Sequence, residues 1–286
     1  MHIPVMLNET LDYLALRPDG VYADCTAGLG GHTGAIAARL ESGMVIALDR
    51  DAESLELAKQ NTRAWAERIR YQRARFSELG RGLAAWGRES VDGILADLGV
   101  SRYQLTEPER GFSLTASGPL DMRLDRSQAL TADELVNTAS ETALADLLYR
   151  FGEEGRSRQI ARAIVRARPL RDTLHLARVV EGAAHRTGRL HPATRTFMAL
   201  RRAVNREREE LEALLESAPD LLASGGRMVV ITFMSLEDRQ VKEAFRRLSE
   251  QGRARLLTKH VVKPSEEEVQ ANPAARSAKL RAVEMK

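Results

Sequence analysis

The chain has 286 residues, 43% hydrophobic and 29% charged, with a formal net charge of +3. That balance excludes wholesale disorder. No run approaches the ~18 apolar residues of a membrane span. The first residues lack the basic stretch and apolar core of a secretory signal. Cys25 is the only cysteine, so neither a disulfide framework nor a cysteine metal cluster is expected. The six histidines show no ligand spacing, and no metal site is expected. The expectation is a cytoplasmic protein of two domains, at roughly 150 residues per domain.

Residues 20–24 read as a buried strand, followed by a glycine-rich turn and a helix over about 32–40. Residues 44–49 read as a second strand, 51–69 as helical, 70–76 as a third strand and 91–97 as a fourth. Such alternation predicts a parallel sheet with helices on both faces. The pattern breaks over 101–190, where 133–149 and 157–168 read as amphipathic helices, the second ended by Pro169. A long helix is expected over about 192–222, then a strand at 227–233, a helix at 236–248 and closing strands at 256–258 and 277–285. Glu268, three residues after Ser265, fits a capping box. The expected division is a sheet domain over 1–101 and 191–286, with a helical insertion over 102–190.

The cations are uneven in type and place. Arginine outnumbers lysine 37 to 6, and residues 155–206 hold 13 arginines against only Asp172 and Glu181. That window carries +11 and leaves about −8 on the rest of the chain. A genomic preference for arginine explains the first fact but not the missing acids. The second points to a polyanionic partner.

The run Asp24-Cys25-Thr26-Ala27-Gly28-Leu29-Gly30-Gly31-His32 leaves a strand and enters a helix. Glycines let the backbone approach a ligand, and helix-start amides point at it. Asp49 ends the next strand, 21 residues beyond Gly28, where an acid can accept from both ribose hydroxyls of a nucleoside. Each such bond is worth roughly 1.5–3 kcal/mol. A dinucleotide motif needs glycine where Thr33 stands. Asp24 would also sit poorly beside a pyrophosphate but well beside a cation. S-adenosylmethionine is therefore favoured over NAD, with a ligand-free tight turn as the bland alternative. Asp97 ends the fourth strand, the third acid so placed, on the side of an open sheet where ligands bind. Phe76 could cover an adenine face or belong to the core.

The runs His2-Ile3-Pro4-Val5, Gly30-Gly31-His32, Asp97-Leu98-Gly99-Val100-Ser101, Arg110-Gly111-Phe112-Ser113 and Gly118-Pro119-Leu120-Asp121-Met122-Arg123 resemble the bacterial 16S rRNA cytosine-N(4) methyltransferase family (RsmH, formerly MraW). So do Gly152-Glu153-Glu154, His191-Pro192-Ala193-Thr194-Arg195-Thr196-Phe197, Ser235-Leu236-Glu237-Asp238-Arg239, Asn272-Pro273 and Arg276-Ser277-Ala278. They stand in the family's order and span nearly the whole chain.

The resemblance implies a class I (Rossmann-like) S-adenosylmethionine-dependent methyltransferase sheet with an inserted all-helical domain. It implies as substrate the N(4) amine of a cytidine in the decoding region of 16S rRNA, free or in the small subunit. It implies cofactor contacts at Gly30, Gly31, His32, Asp49, Phe76, Asp97 and Gln104, to which the residue reading adds Asp24 and Gly28. Arg110, Phe112, Asp121, Arg123 and Arg195 fall on the expected substrate side. A membrane partner is not expected; a homodimer is left open.

The departures from the family pattern are Arg102, Thr106, Met198, Met234 and Ala274. With Met234 in place of a usual histidine, a mechanism needing that histidine cannot operate. The exocyclic amine is a poor nucleophile, so an acceptor for its N–H groups is needed. Asp97 is the candidate, through its carboxylate or the adjacent carbonyl. Phe112 reads equally as a stacking group for the extruded base or as a loop plug. Arg156, Arg158, Arg162, Arg166, Arg168, Arg195, Arg201 and Arg202 form the candidate phosphate-binding set. The competing classes are a non-catalytic ribosome-assembly factor, a nicotinamide oxidoreductase, and a methyltransferase of DNA or small molecules.

Overall fold

The computed structural model describes residues 4–184 and 191–286. His2, Ile3 and the stretch 185–190 of the cationic window lie outside the described residues, as does the side chain of Arg102. The chain divides into two compact units, Met1–Gly99 with Arg208–Lys286, and Val100–Glu207.

The first unit opens with α1 (Leu7–Leu14), β1 (Val21–Asp24), α2 (Gly31–Ala37), β2 (Met44–Asp49), α3 (Ala52–Asn61), β3 (Ile69–Arg73), α4 (Leu79–Ala84) and β4 (Val91–Asp97). Strands β1, β2 and β4 fall where expected. The helical pattern over 51–69 resolves into α3, N-capped by Asp51 accepting from Glu53 N–H, and a separate 3-10 turn Arg63–Arg68. β3 then starts at Ile69 and ends at Arg73, leaving Phe76 in a short turn beyond it.

The second unit contains α5 (Arg102–Thr106), α6 (Ala132–Thr138), α7 (Glu141–Gly152), α8 (Ser157–Arg166), α9 (Thr173–Ala183) and α10 (Thr194–Val204). The single helix expected over 133–149 is two, because Ser140 N-caps a new helix by accepting from Ala143 N–H at 3.2 Å. The expected long helix over 192–222 is also broken. Arg206 has φ 50, and the Asn205 side chain donates to the carbonyls of Arg201 and Met122 and accepts from Leu124 N–H. These bonds seal the end of α10 inside the helical unit. The boundary expected at residue 191 is therefore corrected: α10 buries Phe197, Leu200 and Val204 in one cluster with Leu144, Leu148, Ile160, Ile164, Leu176 and Val180.

The chain returns with α11 (Glu207–Ser217), β5 (Leu222–Thr232), α12 (Ser235–Glu250), β6 (Ala254–Leu256), α13 (Glu266–Ala271) and β7 (Lys279–Met285). The sheet order is β3-β2-β1-β4-β5-β7-β6. Neighbours from β3 to β5 run parallel, while β7 pairs antiparallel with both β5 and β6. Successive side chains of a strand face opposite sides. Ile46 and Leu48, with Ile94 and Val230, join one core under α4, α11 and α12. Val45 and Ala47, with Leu95 and Val229, join the other under α1, α2 and α3. Burial on both sides explains why these strands read as continuous apolar runs. The capping box expected at Ser265 is only half made. Ser265 accepts from Glu268 N–H at 3.1 Å, but the Glu268 carboxylate accepts from Met6 N–H at 2.6 Å and anchors the chain ahead of α1.

Candidate active site

The strand order reverses between β1 and β4, and open parallel sheets bind ligands beyond the carboxyl ends of strands at such a point. Asp24 and Asp97 end these two strands, and Asp49 ends β2 next to β1. All three acids are brought together with Gly28 and His32.

Asp24 is fully buried. It accepts from Thr33 Oγ at 2.6 Å and from Thr26 N–H at 3.1 Å, so its carboxylate faces the loop. In this arrangement Asp24 holds the turn, with one of its oxygens engaged by Thr26 and the other by Thr33. Burial raises its pKa, against the lowering effect of the threonine bonds. Thr26 in turn accepts from Asp97 N–H at 2.7 Å, stitching the end of β4 to the loop after β1. The sequence pattern gives neither threonine this hydrogen-bonding role. The Asp-x-Thr spacing at a strand end, an Asx-turn signature, is the signal that could have found Thr26.

Asp49 accepts from Gly28 N–H at 2.8 Å and from Asp51 N–H at 2.9 Å, one bond to each oxygen. Each oxygen keeps a lone pair for a hydroxyl donor. Burial pushes its pKa up to about 6, against these two bonds. Gly28 has φ +51, and a Cβ there would meet only the Thr26 carbonyl, at 3.7 Å, so this side of the turn is open. Gly30 differs. With φ +86, it lies where a Cβ would come within 2.7 Å of Thr62 Cγ2 and 3.2 Å of the Ala58 backbone. Gly31 likewise makes room for Pro4.

Asp97 is 23% exposed. Its Oδ2 lies 3.7 Å from His32 Nδ1, while its Oδ1 is buried and, among the described residues, accepts no hydrogen bond. Burial, and then the charge of Asp24, push its pKa up to about 8. The His32 ring is itself buried, with Nε2 donating to the Val5 carbonyl at 3.0 Å. Phe76 is partly buried and packs against the core that contains Leu79 and Leu83.

The remaining expected residues belong to the helical unit. Gln104 is buried in the capping box of α5, where its Oε1 accepts from Ser101 N–H at 2.8 Å. Arg110, expected on the substrate side, is only 1% exposed and donates to the Arg123 carbonyl at 3.0 Å; it is a structural cation. Phe112 is buried in the helical core, so of its two readings the structure takes the loop plug. Arg123 forms a two-pronged pair with Asp121, at 2.7 and 2.9 Å, and also donates to the carbonyls of Arg126 and Gln128. Burial raises the Asp121 pKa, but the Arg123 bonds outweigh it and hold the carboxyl below its ordinary range. Arg195 is exposed and donates to the Glu153 carbonyl.

The phosphate-binding set also divides. Arg202 is buried and donates to the Phe151 carbonyl, Arg201 pairs with Glu207 through both prongs at 2.8 Å, and Arg168 donates to the carbonyls of Val136 and Ala139. These three are occupied by the fold. Arg156, Arg158, Arg162, Arg166 and Arg195 stay exposed, with Arg162 3.4 Å from Glu141.

A parallel sheet with one antiparallel strand inserted as β7, carrying acids at the ends of β1, β2 and β4, defines a class I S-adenosylmethionine-dependent methyltransferase. The open side of Gly28 and the spare acceptors of Asp49 fit that cofactor. The profile of the MraW methylase family matches residues 1–286, and the chain belongs to that family. It is 62% identical over 286 residues to the ribosomal RNA small subunit methyltransferase H of Solibacter usitatus, covering 100% of both chains. It is 51% identical over 292 residues to the protein of the same name from Acidobacterium capsulatum, covering 100% of this chain and 98% of that one. With the Koribacter versatilis protein of that name the identity is 48% over 298 residues, covering 100% and 94%.

Proposed function

We propose that the chain transfers the methyl group of S-adenosylmethionine to the N(4) amine of a cytidine in the decoding region of 16S rRNA, acting in the cytoplasm on the rRNA or small subunit. The family match and the names of the relatives support the reaction class and substrate. The observation that carries the site assignment is the buried Asp97 oxygen at the tip of β4 that, among the described residues, has no partner.

S-adenosylmethionine, when bound, supplies a methyl group on a positively charged sulfur that departs as a neutral thioether. The protein's part is alignment and electrostatics. Asp49 offers its spare lone pairs to the ribose hydroxyls. The backbone at Gly28 admits the ligand. Asp97 Oδ1 accepts an N–H of the target amine, which localises the nitrogen lone pair, and takes the proton as the new N–C bond forms. Arg156, Arg158, Arg166 and Arg195 hold phosphates by charge without reading sequence. A homodimer is compatible with this reading, and sedimentation of the full chain would read it directly.

Mapping N(4)-methylated cytidines in 16S rRNA from cells with and without the gene tests the reading. One decoding-region cytidine should lose its mark in the deletion. An unchanged map would refute the assignment.

A further inference from the structure

His32 stands against Asp97, and the bond at its far side settles which nitrogen is which. The Val5 carbonyl can only accept, so Nε2, 3.0 Å away, carries a proton. Nδ1 is thereby turned to Asp97 Oδ2, at 3.7 Å. The ring cannot rotate out freely, because it is only 6% exposed. Val5 is fixed from both sides in sequence: Pro4 packs into the space left by Gly31, and Met6 N–H donates to Glu268. Asp97 therefore has two distinct oxygens, one facing an imidazole nitrogen and one that, among the described residues, has no hydrogen-bond partner.

We infer that His32 is a positioning residue for the methyl transfer: it holds a proton on Nδ1 against Asp97 Oδ2, so that Oδ1 remains an ionised acceptor for the substrate amine. The inference rests on the reading of Asp97 as that acceptor. The proton count closes. Before transfer, the His32–Asp97 pair holds one proton, on Nδ1. During transfer the N–C bond forms and the methyl–sulfur bond breaks, its electron pair staying on sulfur. The amine's N–H bond breaks and an O–H bond forms at Oδ1. The pair then holds two protons and releases one to water.

The surrounding charges make such help necessary. Burial, and then the charge of Asp24 at the end of β1, push the Asp97 pKa up to about 8. Among the described residues, the other titratable side chains named at these strand ends bring no positive charge. Asp49 and Glu237 are acids accepting backbone N–H groups, and Cys25 is a buried thiol pushed far up by burial. A carboxyl so raised needs a positive charge beside it to stay ionised at neutral pH and serve as an acceptor. An opposite charge within ~4–6 Å lowers a carboxyl pKa by about 1–3 units.

Two measurements on the full chain test this. In the first, kcat for methyl transfer to small subunits lacking the mark is followed from pH 6 to 9 at saturating cofactor, for the unmutated protein and for His32→Asn. The acid limb should move up by about 1–3 pH units in the variant, with a rate loss of ~10-fold or more at pH 7 that recovers at high pH. A variant profile parallel to the unmutated one would mean a merely structural role and overturn the inference. The second needs no His32 variant and no turnover. Ring-nitrogen NMR of 15N-histidine-labelled protein follows the His32 titration with and without Asp97→Asn. Loss of the carboxylate should lower the midpoint, and an unmoved midpoint would overturn the inference. If the unmutated protein methylates no rRNA, the substrate reading fails, while the NMR result still decides whether the pair exists.

Discussion

Asp97 and Thr26 are joined by a 2.7 Å hydrogen bond from the Asp97 backbone N–H to the Thr26 hydroxyl, which ties the tip of β4 to the loop leaving β1. The acid proposed to meet the substrate is thus located by the same loop that opens toward the cofactor. Thr26→Val keeps the shape and removes the acceptor. A backbone N–H left without a partner costs about 1–3 kcal/mol. Urea denaturation should show that loss, and methyl transfer should fall more steeply than affinity for S-adenosylhomocysteine. Equal losses in both would mean that the bond serves only folding.

The two glycines of the turn should separate folding from binding. Gly30→Ala drives a Cβ to 2.7 Å from Thr62 and 3.2 Å from the Ala58 backbone at φ +86. It should destabilise the protein by about 1–3 kcal/mol. Gly28→Ala meets open space at φ +51 and should cost only about 1–2 kcal/mol. Its main effect should be weaker binding of S-adenosylhomocysteine. Thermal unfolding and calorimetry on both variants check the contrast.

Asp49 predicts a pH dependence of opposite sign for binding and for folding. Its folded pKa is raised to about 6 from an ordinary 3.8, so the folded state holds an extra proton between those values. Its contribution to stability is therefore greatest at low pH and falls as pH rises through about 6. The ionised carboxylate is the better acceptor for ribose hydroxyls, so affinity for the neutral S-adenosylhomocysteine should rise across the same interval. Asp49→Asn should flatten that rise. A rise that persists in the variant would place the titrating group elsewhere.

Most of the sheet was legible because its central strands are buried on both faces, so that β2 and the stretch of β4 after Asp92 appear as apolar runs closed by an acid. Asp49 could be placed from its spacing to Gly28, and Asp97 from its position at the end of a strand. Helix breaks were not legible, since Asn205 and Ser140 act through bonds that depend on what packs beside them. The same limit applies to the arginines. Charge reads identically for Arg202, buried against the Phe151 carbonyl, and for Arg158, exposed on α8. The pairing of His32 with Asp97 joins residues 65 apart in sequence, and no local pattern announces it.

That division among arginines is itself testable. Arg158, Arg166 and Arg195 replaced together by alanine should weaken binding to small-subunit rRNA and reduce the salt slope by ~0.7–0.9 per lost phosphate contact. Unfolding should be nearly unchanged. Arg110→Ala, which removes a buried donor to backbone carbonyls, should instead lower stability by about 1–3 kcal/mol. An unchanged salt slope in the triple variant would remove those arginines from the RNA contact.

The most direct test is single-turnover methyl transfer from labelled S-adenosylmethionine to small subunits lacking the mark, comparing the unmutated protein with Asp97→Asn. Asparagine keeps the shape but cannot take the proton. Transfer should fall by about 100-fold or more, while S-adenosylhomocysteine binding persists. A transfer rate within a few-fold of the unmutated protein would contradict Asp97 as the acceptor.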